Sequence, residues 1–317
     1  MADIETKSLK PGIVAVAGGT GFVGGAIARE LASRGRQVAV LSHRHRPAGS
    51  LGSAPNVELR QADATEPSSL PDALHNVDTL VIALAFRNYP VEAPRRGQTF
   101  ELIDAAGTEA LVRAAKEAGI RRLIYISGAG TAADATKSWF RAKWRAEEAV
   151  RRSTISYTIF RPSWIYGPGD HSLNRFLGFA RWLPFVPQIG NGRQQLAPIF
   201  IDDMAALVAD SLDTPGTSNA IFEVGGPETL SMDEVVRGAL HISGRRRFIL
   251  HAPVTLMKIV TAPLVVLPSP PMRPSAIDFV VQSAPVDTTH LREIFPRKLH
   301  TVHEGLATYM SRPARQQ

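Results

Sequence analysis

The sequence predicts an α/β protein: a doubly wound parallel sheet with a smaller, mostly helical C-terminal lobe. Three observations carry that expectation. Continuous apolar runs of strand length alternate with helix-length segments from Gly12 to Pro162, and a glycine-rich turn joins the first run to the first helix. Beyond Pro162 the alternation weakens and proline and glycine become frequent.

The elements follow in order. Ile13 to Gly18, IVAVAG, is a continuous apolar run, as a strand buried on both faces of a parallel sheet requires. FVGGAIARELASRG reads as a helix that stops at Gly35. QVAVLS is a second strand and VELRQAD contains a short third; a helix spans Ser68 to Leu74, and DTLVIALA is the fourth strand. FELIDAAGTEALVRAAKEAG repeats apolar residues at helical spacing up to Gly119, and RRLIYIS is the next strand. A helix from Ser138 to Arg152 and the strand SYTIFRP close the series. Strands joined by helices of this length need right-handed crossovers, which build a doubly wound sheet. Two later segments look like part of the first domain: APIFIDDMAALVADSL, a strand with a helix capped by Asp202 or Asp203, and the strand AIFEVGG. The first domain is therefore expected over residues 11–170, completed by 197–225, with 171–196 and 226–317 forming the smaller lobe.

Composition bounds the chemistry. The 317 residues are 44% hydrophobic and 21% charged, as in an ordinary globular protein. The chain has no cysteine, which excludes disulfides, thiolate catalysis and cysteine-ligated metals. The formal charge of +7 comes largely from scattered arginine clusters such as Arg95-Arg96, Arg121-Arg122, Arg151-Arg152 and Arg245 to Arg247. No interleaved basic and aromatic stripe accompanies them, so no nucleic-acid partner is expected. Among His75, His241, His251, His290, His300 and His303, only His300 and His303 have ligand-like spacing, and no metal site is expected. The N-terminus, MADIETKSLKPG, lacks the apolar core of a signal peptide, and the expected location is cytoplasmic.

The strongest motif is GGTGFVG, Gly18 to Gly24, between the first strand and the first helix. Gly18 permits the tight turn, Gly21 lets the backbone approach a pyrophosphate, and Gly24 allows close helix–strand packing. The helix N-terminus, with Thr20, Phe22 and Val23 around it, then presents free N–H groups to the phosphates. A nicotinamide dinucleotide is the expected ligand. The second strand ends AVLSHRHRP, offering Ser42, His43 and Arg44 where NAD-preferring sites carry a carboxylate. A guanidinium there binds a 2′-phosphate, so NADP(H) is preferred, with NAD(H) the alternative.

By these motifs the chain resembles the short-chain dehydrogenase/reductase superfamily in its extended and atypical branches, which carry the Rossmann fold. GGTGFVG matches the glycine motif of those branches. Asp63 in QADATEPSSL, followed by Ala64, matches the acid that meets the adenine amino group. FRPSWIYGPGD matches the arginine-proline segment that lies against the nicotinamide, which assigns Pro162 and Ile165 to the cofactor. Ala83, Leu84 and Ala85, at the end of the fourth strand, complete the implied cofactor lining.

The resemblance also exposes departures. Active members carry a catalytic tyrosine followed four residues on by a lysine that grips the nicotinamide ribose. In SWFRAKW the lysine is Lys143 and the tyrosine position holds Trp139, whose indole N–H exchanges no proton usefully near neutral pH. The family's catalytic Ser or Thr aligns with Gly128 in ISGAG; Ser127 and Thr131 flank it out of register. Tyr166, Asp134, Asp170 and His171 are the side chains to inspect as replacement proton donors. Members acting on nucleotide sugars carry an arginine where this chain has Leu196, which argues against such a substrate.

QQLAPIFIDDMA, FEVGGPETLSMDEV, VDTTHLREIF and EGLATYM together resemble an atypical branch typified by the Rossmann-fold accessory subunit of respiratory complex I. That resemblance implies tightly held NADP(H), weak or lost tyrosine-dependent chemistry, and a link to respiratory or quinone metabolism, with a small apolar or quinone-like substrate if one is turned over. The alternative is an active NADPH-dependent reductase, dehydrogenase or epimerase with a substitute proton donor. The proline-interrupted apolar stretch from Pro253 to Leu267 is too short and broken to span lipid. It is expected to wall the cleft of the smaller lobe. The alternative is an exposed patch, backed by Arg245 to Arg247, that makes a peripheral contact with a membrane or membrane complex. Nothing in the sequence sets the oligomeric state.

Overall fold

A computed structural model of the chain describes residues 12–43, 53–170 and 173–310. The first half alternates as the apolar runs predict. β1 (Ile13–Ala17) leads to α1 (Phe22–Ser33), β2 (Val38–Ser42), β3 (Val57–Gln61), the short α2 (Leu70–Ala73) and β4 (Val77–Ile82). Then come α3 (Gly107–Glu117), β5 (Arg122–Ile126), α4 (Ser138–Arg152), β6 (Ser156–Pro162) and β7 (Trp164–Tyr166). The second half contributes α5 (Leu173–Trp182), β8 (Phe185–Ile189), β9 (Gln195–Leu196), β10 (Pro198–Phe200), α6 (Ile201–Asp210) and β11 (Ala220–Val224). It ends with β12 (Leu230–Ser231), α7 (Met232–Ile242), β13 (Phe248–Ala252), α8 (Val254–Thr261), α9 (Pro274–Val280), α10 (Thr289–Ile294) and α11 (Val302–Met310).

Seven strands form one sheet in the order β3-β2-β1-β4-β5-β6-β11, every pairing parallel. The order reverses at β1, with β2 on one side (Val14 opposite Val38) and β4 on the other (Val14 opposite Thr79). Alternation along each strand sends side chains to two cores. Val14, Val16, Val38 and Val40 meet Ile27 and Leu31 of α1 and Met204 and Leu207 of α6. Ala15, Ala17, Leu41, Leu80 and Ile82 meet Leu111 of α3 and Ala146 and Val150 of α4. Each buried Val, Leu or Ile contributes about 1.5–3 kcal/mol of transfer free energy. The C-terminal region is mostly helical, with three small two-stranded pairs: β7 with β10, β8 with β13 and β9 with β12.

Two local expectations differ from the structure. The segment read as one helix from Phe100 begins with π-helical turns over Phe100–Ala106, capped by Thr99, before α3 continues from Gly107. Neither Asp202 nor Asp203 caps α6, whose N-cap is Phe200. The Asp203 carboxylate is buried and committed elsewhere: it accepts the backbone N–H of His300 at 2.7 Å and lies 2.8 Å from His300 Nδ1.

A third, smaller cluster gathers Phe86, Phe100, Trp139, Ala142 and Phe140 with Tyr89 and Phe279. It joins the segment after β4, the π-helical turns, α4 and α9 near the carboxyl ends of the strands. A parallel sheet whose order reverses binds ligands at that end.

Candidate functional site: a dinucleotide cleft and a buried lysine

The glycine turn is shaped by close approach. Gly18 has φ of +79°, and a Cβ there would lie 2.3 Å from the Ala83 carbonyl oxygen. A Cβ at Gly24 would lie 2.3 Å from the Gly18 carbonyl oxygen. Side chains at either position would push the turn off β4 or α1 off the turn. Gly21 is the N-cap of α1 and supplies no side-chain cap, while Thr20 and Gly21 are exposed. The amides around Phe22, Val23 and Gly24 thus open the helix N-terminus toward solvent, the arrangement that receives an anion.

Around this turn lie the other residues assigned to the cofactor. Ser42 ends β2 in a buried setting, and His43 follows it, exposed. Arg44 lies outside the described residues, as does His171. Asp63 Oδ1 accepts the backbone N–H of Thr65 at 2.8 Å and its hydroxyl at 2.6 Å. Those bonds fix the orientation of the carboxylate while Oδ2 makes no hydrogen bond among the described residues. Ala64 sits against Gly107, where an added Cβ would come within 3.2 Å of it. Leu84 and Ala85 follow Ala83 past the end of β4, half-buried and exposed respectively. Pro162 is buried at the end of β6 and accepts the Ala129 N–H at 2.9 Å; Ile165 is half-buried on β7 opposite Ile199.

Helix α4 carries Trp139, Lys143 and Glu147 one turn apart, all buried. Lys143 is not a surface lysine paired along its own helix with Glu147. Its Nζ lies 2.8 Å from Asp104 Oδ1, donates to the Ile126 carbonyl at 3.3 Å, and sits over the Tyr125 ring 5.4 Å from its centre. Burial is the largest single influence and works against charge on Lys143, but Asp104, Tyr89 and Glu147 together outweigh it and hold the amine above its usual value. Burial pushes the Asp104 carboxyl up against the opposing pull of Lys143. Glu147 is taken by others: it accepts the Ser127 hydroxyl at 2.6 Å and two Arg161 N–H groups at 2.9 and 2.6 Å.

Those bonds dispose of most of the hydroxyls the sequence offers. Ser127 is buried and committed to Glu147. Thr131 is buried, donates to the Gly128 carbonyl at 2.7 Å and lies 3.4 Å from Ser127 Oγ. Tyr166 is fully buried between Trp164 and Phe200, and its hydroxyl donates to the Thr301 carbonyl at 3.2 Å. Asp170 accepts the Leu173 N–H at 2.9 Å at the start of α5, and Asp134 is exposed. Gly128 faces open space, since a Cβ there would meet nothing within 4 Å. Trp139 is buried against Phe100, Phe140 and Phe279, and its indole nitrogen has no hydrogen-bond partner.

Asp104 and the Ser127–Glu147–Arg161 network were not singled out in the sequence. A signal existed for Asp104: a carboxylate four residues after Phe100, on the stripe that otherwise carries apolar residues, marks a buried charge that needs a partner. For Glu147 the i,i+4 spacing to Lys143 masked the true partner, because Arg161 lies on another element.

Comparison with known proteins adds the family. Residues 18–177 match the model of the NAD(P)H-binding family. The mitochondrial NADH dehydrogenase [ubiquinone] 1 alpha subcomplex subunit 9 of Arabidopsis thaliana is 33% identical over 239 residues, 72% of this chain and 58% of that protein. The chain thus spans little more than half the length of that relative. Ceramide reductase of Caulobacter vibrioides is 27% identical over 242 residues, 76% of this chain and 74% of that protein. The NADPH-dependent quinone oxidoreductase of Escherichia coli, solved with NADPH, superposes with a TM-score of 0.72 at 19% identity, covering 93% of this chain and 99% of that one. At that identity the likeness concerns the fold alone. The glycine turn, the switch in strand order at β1 and the match across 18–177 agree: the chain belongs to the NAD(P)H-binding family, in an atypical branch of the Rossmann-fold oxidoreductases and epimerases.

Proposed function

We propose that this protein holds a nicotinamide dinucleotide, NADP(H) in preference to NAD(H), in a redox-related role from which the family's tyrosine-dependent proton transfer has been lost. The observation that carries this reading is the pairing on α4. Trp139 stands, buried and without a hydrogen bond, one turn before a Lys143 that keeps its charge. Lys143 suits a ribose edge, because an ammonium donates to a hydroxyl, while the fully buried Asp104 carboxylate behind it holds the amine in place. The Gly18–Gly24 turn suits the pyrophosphate, and Asp63 Oδ2 suits an exocyclic amino group. When bound, the dinucleotide supplies hydride chemistry; this chain supplies its orientation. The preference for a 2′-phosphate rests on Arg44 and His43, and solved proteins of this fold carry NADPH in one case and NAD in others.

The likeness to a respiratory NADH dehydrogenase subunit supports a role beside respiratory or quinone metabolism. A second reading, an active reductase of a small apolar or quinone-like substrate, is favoured by the open space at Gly128, which leaves room for a substrate beside the cofactor cleft. Calorimetric titration of the purified chain with NADPH and NADH tests the first reading. Binding of neither, with the chain folded, removes it. Single-turnover oxidation of bound NADPH by quinones separates the second.

A cytoplasmic protein in peripheral contact with membrane is the location we propose. Among the described residues no helix is long and apolar enough to cross a membrane. Leu256, Ile259 and Val260 of α8 are exposed, and Val265, Val266 and Leu267 continue the apolar surface. Arg95 donates to the Val266 carbonyl at 3.1 Å, placing a cation at its edge. Apolar side chains with an arginine at their edge suit an anionic lipid surface.

A further inference from the structure

The position lost at Trp139 leaves open which group gives up a proton if the site reduces a substrate. The chain has five tyrosines. Tyr157 opens β6, at the opposite end of the sheet from the cleft. Tyr166 bonds the Thr301 carbonyl, and the hydroxyl of Tyr309 is buried on α11. Tyr125 lies under Lys143, 1% exposed, with its hydroxyl sealed from solvent.

Tyr89 differs from all four. It comes from the segment after β4, and its ring packs on Phe100 at 5.3 Å and Phe279 at 5.4 Å. Those two rings are also neighbours of Trp139, at 6.3 and 5.3 Å. Phe100 is four residues before Asp104 and Trp139 four before Lys143, so this cluster borders the ion pair. Tyr89 is half-buried, and its hydroxyl makes no hydrogen bond among the described residues. It therefore combines nearness to Lys143 with a phenol that no structural bond has claimed.

We propose that Tyr89 is the proton donor of this site, supplying from the segment after β4 the phenolic proton that position 139 no longer carries. The proposal rests on the second reading above, an active reductase at the dinucleotide cleft, and not on the reading in which proton transfer is lost. The substrate is a carbonyl or quinoid compound. Its carbon accepts a hydride from the reduced nicotinamide cofactor, the C=O π pair moves to oxygen, and that oxygen takes the Tyr89 proton. The phenolate left beside the Lys143 ammonium regains a proton from water. The titratable groups whose charge acts on the Tyr89 phenol are Lys143, Asp104 and Tyr125. Burial holds the phenol above its usual value and Lys143 opposes that shift, so Tyr89 is protonated near neutral pH and can act only as an acid there.

Tyr89→Phe keeps every ring contact and removes only the hydroxyl. Calorimetry with NADPH, thermal unfolding and single-turnover reduction of 9,10-phenanthrenequinone are measured for wild type, Tyr89→Phe and Tyr166→Phe. The expected result is unchanged NADPH affinity and stability in Tyr89→Phe with a rate lowered roughly 10²- to 10⁴-fold, the range of a lost general acid. Tyr166→Phe should keep the wild-type rate. The wild-type rate should also fall at high pH as the phenol ionises, a limb that Tyr89→Phe lacks. A second readout needs no turnover: in ultraviolet difference titration, oxidised cofactor, whose ring is cationic, should move the ionisation of one tyrosine to lower pH, and Tyr89→Phe should abolish that signal. A Tyr89→Phe rate within twofold of wild type overturns the proposal, as does a cofactor-independent titration where the wild type shows no turnover. Failure of the protein to bind any dinucleotide would instead remove the reading on which the proposal rests.

Discussion

Lys143 Nζ lies 2.8 Å from Asp104 Oδ1, with the lysine side chain 10% and the aspartate side chain 0% exposed. The contact joins α4 to the π-helical turns before α3. Removing one member leaves the other charged and desolvated, which costs about 3–5 kcal/mol, whereas replacing both with apolar side chains is often neutral. Asp104→Ala should therefore lower stability by that amount and Asp104→Leu with Lys143→Met by much less. Chemical denaturation of the three variants measures it. A double variant as unstable as the single one would show that the pair itself, not the orphaned charge, sets the stability.

The same pair gives a pH signature. The folded-state pKa of Lys143 is raised above 10.5, its ordinary value. Its contribution is thus fully present below about 10.5 and lost as pH rises through the higher folded value. The coupling between positions 104 and 143, taken from the double-mutant cycle, should stay constant from pH 7 to about 10 and shrink above that. A coupling that already disappears near pH 8 would mean the buried amine is depressed.

Cofactor preference turns on the end of β2. NADPH should bind more tightly than NADH, and Arg44→Ala or His43→Ala should narrow the ratio. One charge-assisted contact to a 2′-phosphate contributes roughly 1.5–3 kcal/mol, or about ten- to a hundredfold in affinity. Calorimetric titration decides it. Equal affinities in wild type, or a ratio untouched by Arg44→Ala, would remove the basis for an NADP(H) preference.

Trp139→Phe should leave any reductase rate within about an order of magnitude, because the indole N–H transfers no proton to substrate in this reading. Its cost is packing against Phe100, Phe140 and Phe279, about 1–3 kcal/mol for a large-to-small change. Lys143→Ala should weaken cofactor binding instead, since the ribose loses a charged donor. A thousandfold loss of rate in Trp139→Phe with cofactor affinity intact would give Trp139 a direct part in the chemistry.

How much of this was legible follows from the range of each signal. Strand β1, the Gly18–Gly24 turn and α4 were readable because each depends on a local pattern: an apolar run, a fixed glycine spacing, a periodic stripe. The site's charge pairing was not. Asp104 and Lys143 are far apart in sequence, and Glu147 sits at the spacing that normally indicates a helical pair with Lys143 while binding Arg161 on β6. Phe279 joins Tyr89 and Trp139 from α9, more than a hundred residues on, and no periodicity reports such a meeting. The exposed face of α8 was ambiguous for a related reason: the Leu256, Ile259 and Val260 pattern identifies an apolar face without saying whether anything covers it.

That face supports the last prediction. Leu256, Ile259 and Val260 are 52%, 66% and 54% exposed, and Val266 is 65% exposed. Lys258 points the other way, 2.6 Å from Asp278 of α9, so the salt bridge anchors the helix rather than dividing its apolar face. An exposed Leu, Ile and Val buried in the acyl boundary each contribute up to about 1.5–3 kcal/mol, and about 1 kcal/mol more comes from each basic residue near an anionic headgroup. The sum, reduced by the cost of restricting the protein at a surface, supports weak association that salt should diminish. The protein should float with vesicles containing phosphatidylserine at low salt, less at high salt, and little with neutral vesicles. Ile259→Ser with Val260→Ser, both exposed and so of small cost to folding, should abolish flotation while leaving NADPH affinity unchanged. Recovery of folded wild type wholly in the unbound fraction at low salt would sink the membrane reading and leave the apolar face to a protein partner.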